Sequence, residues 1–166
     1  MDKKFAVFTV IFTFGVIALA SFFIKSQPKN TAAPEAVFLN DAQALVESKD
    51  FDWGRIDYSG GKVKANFSIK NQGGGTLKLR NVRTSCHCTQ ARVTIEGSAS
   101  PYFGMNSVSS WVGEVAPAGE ANLEVVFDPA YHGPGGIGPI NRFVEVETSD
   151  KNNKKLEFVT RGIVVK

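Results

Sequence analysis

Lys62-Val63-Lys64-Ala65-Asn66-Phe67-Ser68-Ile69-Lys70 is the stretch whose reading decides the fold. Its apolar residues, Val63, Ala65, Phe67 and Ile69, occupy every second position, and lysine, asparagine and serine fill the places between. Successive side chains of an extended strand point to opposite faces, so this segment is a strand with one face on a core and the other in water. Antiparallel sheets carry such half-solvated strands, whereas parallel sheets are covered on both faces. The same rhythm returns downstream. Leu77 and Leu79 alternate with Lys78 and Arg80; Ala91, Val93 and Ile95 follow; then Ala121, Leu123, Val125 and Phe127; then Val144 and Val146 between Glu145 and Glu147; then Leu156 to Val165. Glycine, proline and asparagine punctuate these runs at Asn71 to Gly75, 96–112, 129–141 and Asp150 to Asn153. Residues 48–166 therefore read as one all-β domain, an immunoglobulin-like antiparallel β-sandwich of about seven strands, with a small barrel as the alternative.

The period changes toward the amino terminus. Residues 37–48, VFLNDAQALVES, suggest a short helix capped at Asn40 or Asp41. Residues 25–47 as a whole, with Pro28 and Pro34 among small polar residues, read as a linker or stalk. Residues 5–24 are FAVFTVIFTFGVIALASFFI, apolar all round and free of charge. About twenty residues of helix span the hydrocarbon core of a bilayer, so residues 1–24 form a signal anchor, a single transmembrane helix that leaves the β domain on the extracytoplasmic side. Lys3 and Lys4 before it and Lys25 and Lys29 after it give little orientational bias. Ala18-Leu19-Ala20 offers a cleavage site after Ala20, which would release a secreted protein. Against cleavage, Phe22, Phe23 and Ile24 continue the apolar run past that site.

Composition narrows the function. The chain has 166 residues with 19 basic and 16 acidic side chains, a net charge of +3 spread along its length. Nothing clusters as a nucleic-acid footprint would. No Gly-x-Ser-x-Gly elbow is present, and Gly135, Gly136 and Gly138 precede no helical pattern that would make a phosphate loop. The expectation is a non-enzymatic module with a protein or envelope partner and with the membrane as a partner of residues 5–24. Trp53 reads as a core or edge plug, and Tyr102, Phe103, Met105 and Trp111 as residues that tuck the 96–112 loop against the sandwich rather than as an exposed patch.

One constellation carries chemistry. The chain's two cysteines, Cys86 and Cys88, flank His87, and His132 is the only other histidine. On a strand, Cys86 and Cys88 face together and His87 faces away, unless the segment turns there. Three readings stand. The cysteines are core residues or a local disulfide, which needs a bend because i and i+2 Cα atoms lie about 6.5–7 Å apart on a strand. They form a metal site for Cu or Zn from Cys86, Cys88, His132 and His87, thiolates and imidazoles being the donors those ions favour. Or they are a redox-active pair. The structural reading is favoured.

A resemblance spans nearly all of residues 50–165. Phe51-Asp52-Trp53-Gly54-Arg55-Ile56 resembles the opening of the domain of unknown function 1573 family. Gly60-Gly61, Leu77-Lys78-Leu79, Thr84-Ser85-Cys86-His87-Cys88-Thr89, Pro117-Ala118-Gly119-Glu120, Phe127-Asp128-Pro129 and Gly162-Ile163-Val164 continue it in order. His87 stands where that family usually has glycine, and the 96–112 insertion is longer than usual. The resemblance implies an exported bacterial protein with an immunoglobulin-like domain and implies no activity.

Overall fold

The computed structural model describes residues 41–166. The expected transmembrane helix over residues 5–24 lies outside them, as do residues 25–40 of the expected linker. No helix among the described residues is long and apolar enough to cross a membrane.

Among the described residues ten strands run in chain order: β1 (Ala44–Leu45), β2 (Asp50–Asp57), β3 (Val63–Asn71), β4 (Leu77–Thr84), β5 (Thr89–Ile95), β6 (Ser98–Ala99), β7 (Val112–Val115), β8 (Glu120–Phe127), β9 (Gly138–Thr148) and β10 (Lys155–Val165). A 3₁₀ turn, Gly133–Gly136, precedes β9. One sheet has the order β1-β3-β8-β5-β6 and the other β2-β10-β9-β4-β7. Two five-stranded sheets stacked on a shared core are a sandwich, and the barrel alternative falls. The added strands are short: β1 and β6 have two residues each, too few to show a period.

The alternation read from the sequence is observed in β3, β4, β5 and β9 and in the first half of β8; in its second half Glu124 and Val126 are buried as well. Ala65, Phe67 and Ile69 of β3, Leu77 and Leu79 of β4, Ala91 and Val93 of β5, Ala121, Leu123 and Val125 of β8, and Val144 and Val146 of β9 are buried in one cluster with Leu156 and Phe158 of β10. Burial at about 25 cal/mol per Å² of apolar area is what drives this assembly. A second, smaller cluster holds Ile56, Cys88, Phe127, Ile140 and Val164. Trp53 packs against both clusters, stacks on Phe127 at 5.6 Å and donates its indole N–H to the Lys64 carbonyl at 2.9 Å, which is the plug role expected of it.

Three expectations need correction. The sheets are not wholly antiparallel, because β2 pairs in parallel with β10. That pair shifts register between Arg161 and Ile163. Gly54 adopts a φ of 66° there, and a Cβ on Gly162 would lie 3.1 Å from the Gly54 carbonyl oxygen, so this kinked edge needs both glycines. Second, residues 41–48 form no helix, and the folded unit starts before residue 48. Ala42 is buried in the core, and Ala44 and Leu45 pair with Asn71 and Lys70. The Ala44 N–H donates to the buried Asp150 carboxylate at 2.9 Å, a partner no local pattern reveals. Third, the 96–112 segment is only partly tucked. Phe103 is buried, bridges to Ala91 and lies 5.5 Å from the Trp111 ring, whereas Tyr102 and Met105 are exposed. The Tyr102 hydroxyl still donates to Glu124 at 2.8 Å, and the Arg92 guanidinium lies 4.9 Å from its ring, holding the loop on the sheet.

Candidate functional site

The strand registers place β3's last residue, Asn71, and the β9–β10 turn at one end of the sandwich. The β4–β5 turn and the β8–β9 loop lie at the other. The chemistry sits at this second end. Ser85, Cys86, His87 and Cys88 form the β4–β5 turn, closed by the Thr89 N–H donating to the Cys86 carbonyl at 3.1 Å. Three ties hold it. The Ser85 N–H donates to the Phe143 carbonyl at 2.9 Å, and the Phe143 N–H donates back to the Ser85 hydroxyl at 3.0 Å. The Asp128 N–H donates to the Cys88 carbonyl at 2.9 Å.

The turn supplies the bend that the Cys-x-Cys spacing needs. It brings the two Cα atoms to 5.2 Å, shorter than strand spacing, and Cys86 and Cys88 are joined in a disulfide. Their surroundings differ. Cys88 is 2% exposed within the smaller core cluster, and Cys86 is partly exposed.

His132 arrives on the Gly- and Pro-rich β8–β9 loop. Its Nε2 lies 3.3 Å from Cys86 Sγ, so the loop brings the histidine to the pair. His87 does not: its Nε2 faces the Asn106 amide at 3.5 Å. The donor atoms of Cys86, Cys88 and His132 all lie within 4.8 Å of one another. With the sulfur–sulfur bond formed there is no thiolate to bind an ion. A Cu or Zn site would require the opened pair, and it would have three ligands, without His87.

The residue missed by reading the sequence is Arg142, on β9. Its Nε–H donates to Cys88 Sγ at 3.1 Å, its Nη1 to the Asn141 carbonyl at 2.9 Å, and its guanidinium carbon lies 5.5 Å from the Phe127 ring. Burial pushes its pKa below the usual arginine value. A lone arginine 54 residues from Cys88, between Asn141 and Phe143, has the look of an ordinary solvated strand position, so no spacing signal was available. Beside Cys88 a recess of about 180 Å³ is lined by Lys62, His87, Gln90, Val126, Asp128 and Tyr131. Tyr131, packed edge-on to His132 at 5.1 Å, and Phe143 are exposed at this end.

Among solved structures, a protein of unknown function from Porphyromonas gingivalis W83 superposes with a TM-score of 0.56 at 19% identity, over 78% of this chain and 51% of that one. The chain thus spans about half the length of that protein, and the likeness concerns the fold alone. The PapD-like domain 7 of human CEP192 aligns at a TM-score of 0.47 and 16% identity over 76% and 88% of the two chains. The YadV chaperone aligns at 0.46 and 7% over 74% and 52%. No curated protein matches the chain. The family model described as "Protein of unknown function (DUF1573)" matches residues 45–100, a span that holds the Phe51–Ile56 opening and the Thr84–Thr89 turn but stops before the Pro117, Phe127 and Gly162 motifs. Over that span the chain is similar to the DUF1573 family.

Proposed function

We propose that the chain is a membrane-tethered, extracytoplasmic immunoglobulin-like module of a bacterial cell envelope that acts by binding a protein or envelope partner rather than as an enzyme. The observation that carries this reading is the Cys86–Cys88 disulfide. Such bonds persist in oxidising compartments outside the cytosol and are rare within it. The uninterrupted apolar run of residues 5–24 supports the same side of the membrane. Exposed Tyr131 and Phe143, beside the disulfide, give a partner aromatic surface to meet.

The test uses the full chain in a bacterial host. Thiols are blocked by alkylation at harvest, and spheroplasts are treated with protease. The expected result is a membrane-bound chain of uncleaved mass, with both cysteines protected from alkylation until reduced and the β domain digested from outside. Free thiols in a protease-protected domain would overturn the reading. A mature chain beginning at Ser21 would replace the tether by secretion.

A further inference from the structure

We infer that Cys86–Cys88 is a thiol–disulfide exchange site that accepts electrons from a protein dithiol, with Cys86 the sulfur attacked, Cys88 the sulfur that leaves, and Arg142 and His132 placed to serve those two roles. This deepens the binding role proposed above, the dithiol protein being the partner bound and the site a one-for-one acceptor of its electrons rather than a turning-over enzyme, and it holds whether or not residues 5–24 remain in the bilayer.

The first argument is asymmetry. An incoming thiolate needs access to one sulfur, and the partly exposed Cys86 offers it while Cys88 is buried. The second argument is the partner of each sulfur. Arg142 directs its Nε–H at Cys88 Sγ from 3.1 Å. Among the described residues no carboxylate lies within salt-bridge distance of that guanidinium, although seven other ion pairs form. A half-buried cation opposite a disulfide sulfur, a weak acceptor, is poorly matched. Opening the bond turns that sulfur into a thiolate and supplies the missing counter-charge without any movement of Arg142. The site is thus organised in advance for the reduced state, which makes the bond a better oxidant and Cys88 a better leaving group. His132, 3.3 Å from Cys86 Sγ, is placed to take the proton of the incoming thiol.

The step balances. A partner thiol gives its proton to His132, and its sulfur attacks Cys86 Sγ. A partner–Cys86 disulfide forms, and the Cys86–Cys88 bond breaks with its electron pair left on Cys88 Sγ against Arg142. The partner's second thiol then attacks the partner sulfur of the mixed disulfide. Cys86 departs as a thiolate and is protonated from His132. The partner dithiol has lost two electrons and becomes a disulfide; the protein has gained them as a Cys86 thiol and a Cys88 thiolate, and one proton goes to solvent.

The experiment uses the full chain in mild detergent, with dithiothreitol as the dithiol probe and alkylation followed by mass spectrometry as the readout. Arg142→Met is expected to slow reduction at least tenfold and to shift the equilibrium with glutathione at least tenfold toward the disulfide, with Arg142→Lys recovering part of both. Reduction rate and equilibrium within twofold of wild type in a folded Arg142→Met chain would overturn the inference. The order of reactivity is tested separately, without touching Arg142. Toward an aromatic disulfide, the Cys86 thiol of the Cys88→Ser chain is expected to react at least tenfold faster than the Cys88 thiol of the Cys86→Ser chain. Equal or reversed rates would overturn it.

Discussion

The two ends of the sandwich satisfy their polar groups in opposite ways. At the end where β3 finishes, buried Asn71 and Asp150 are saturated. The Asn71 amide lies 2.8 Å from the Gly75 carbonyl and 3.0 Å from that of Val115, and its oxygen accepts the Gly73 N–H at 3.0 Å. Asp150 accepts from the N–H groups of Ala44 and Asn152 and from the Asn153 amide. At the other end, Arg142 faces a disulfide sulfur and His132 stands exposed beside its mate. A saturated end resists change because removing any member orphans a buried partner. An end with an unmatched cation is stable enough to persist and gains when the chemistry around it changes. The contrast teaches that buried polarity here has two purposes, closure at one end and readiness at the other.

The contrast breaks first at Asn71. Asn71→Ala strands the Gly73, Gly75 and Val115 backbone groups that the amide satisfies, and orphaned buried groups cost about 1–3 kcal/mol each. A loss of about 3 kcal/mol in urea unfolding is expected, and a loss under 1 kcal/mol would show that this end does not depend on saturation. Asp150 follows through pH. Burial pushes its carboxyl upward, but the hydrogen bonds from Asn153, Ala44 and Asn152 outweigh that and hold its pKa below the ordinary value. Its stabilisation is therefore complete above the unfolded-state pKa of about 3.9 and is lost as pH falls through the lower folded value. Asp150→Asn should flatten the acid limb of a stability–pH profile below about pH 4, and an unchanged limb would remove Asp150 from the account.

These residues also mark where reading the sequence stops. The strand faces of β3, β4, β5, β8 and β9 were legible because a period of two needs only neighbouring positions. The site was half legible: the two cysteines and His132 stand out by scarcity, and the need for a bend followed from strand geometry. What stayed hidden acts over distance. Strand β1 has two residues and no period, and Asp150, 106 residues away, helps hold it. Arg142 gains its meaning only when the β4–β5 turn and β9 come together. The parallel β2–β10 pair was hidden too, since exposed edge residues read the same in either direction.

The other end should yield little when its bond is removed. With one residue between the cysteines, the closed loop is so short that the chain-entropy model assigns the disulfide only about 1.5 kcal/mol. Cys86→Ser with Cys88→Ser should therefore leave a cooperatively folded β domain that unfolds at slightly lower urea. Collapse of the domain would mean that the disulfide is a structural staple, and the comparison between the ends would fail.

The smallest expected effect is the sharpest test. His132 is exposed and stands just before the Gly133–Gly136 turn, the one regular element of the β8–β9 loop. His132→Gln keeps a polar side chain of similar reach, and an exposed substitution of this kind changes stability by no more than about 0.5 kcal/mol. Asn71→Ala and His132→Gln then form a pair. The first should lower the unfolding midpoint with no change in how fast dithiothreitol opens Cys86–Cys88, and the second should slow that opening with no change in the midpoint. If His132→Gln lowers the midpoint as Asn71→Ala does, the histidine is one more closing contact. The division between a closing end and a reactive end would then be wrong at the residue closest to the attacked sulfur.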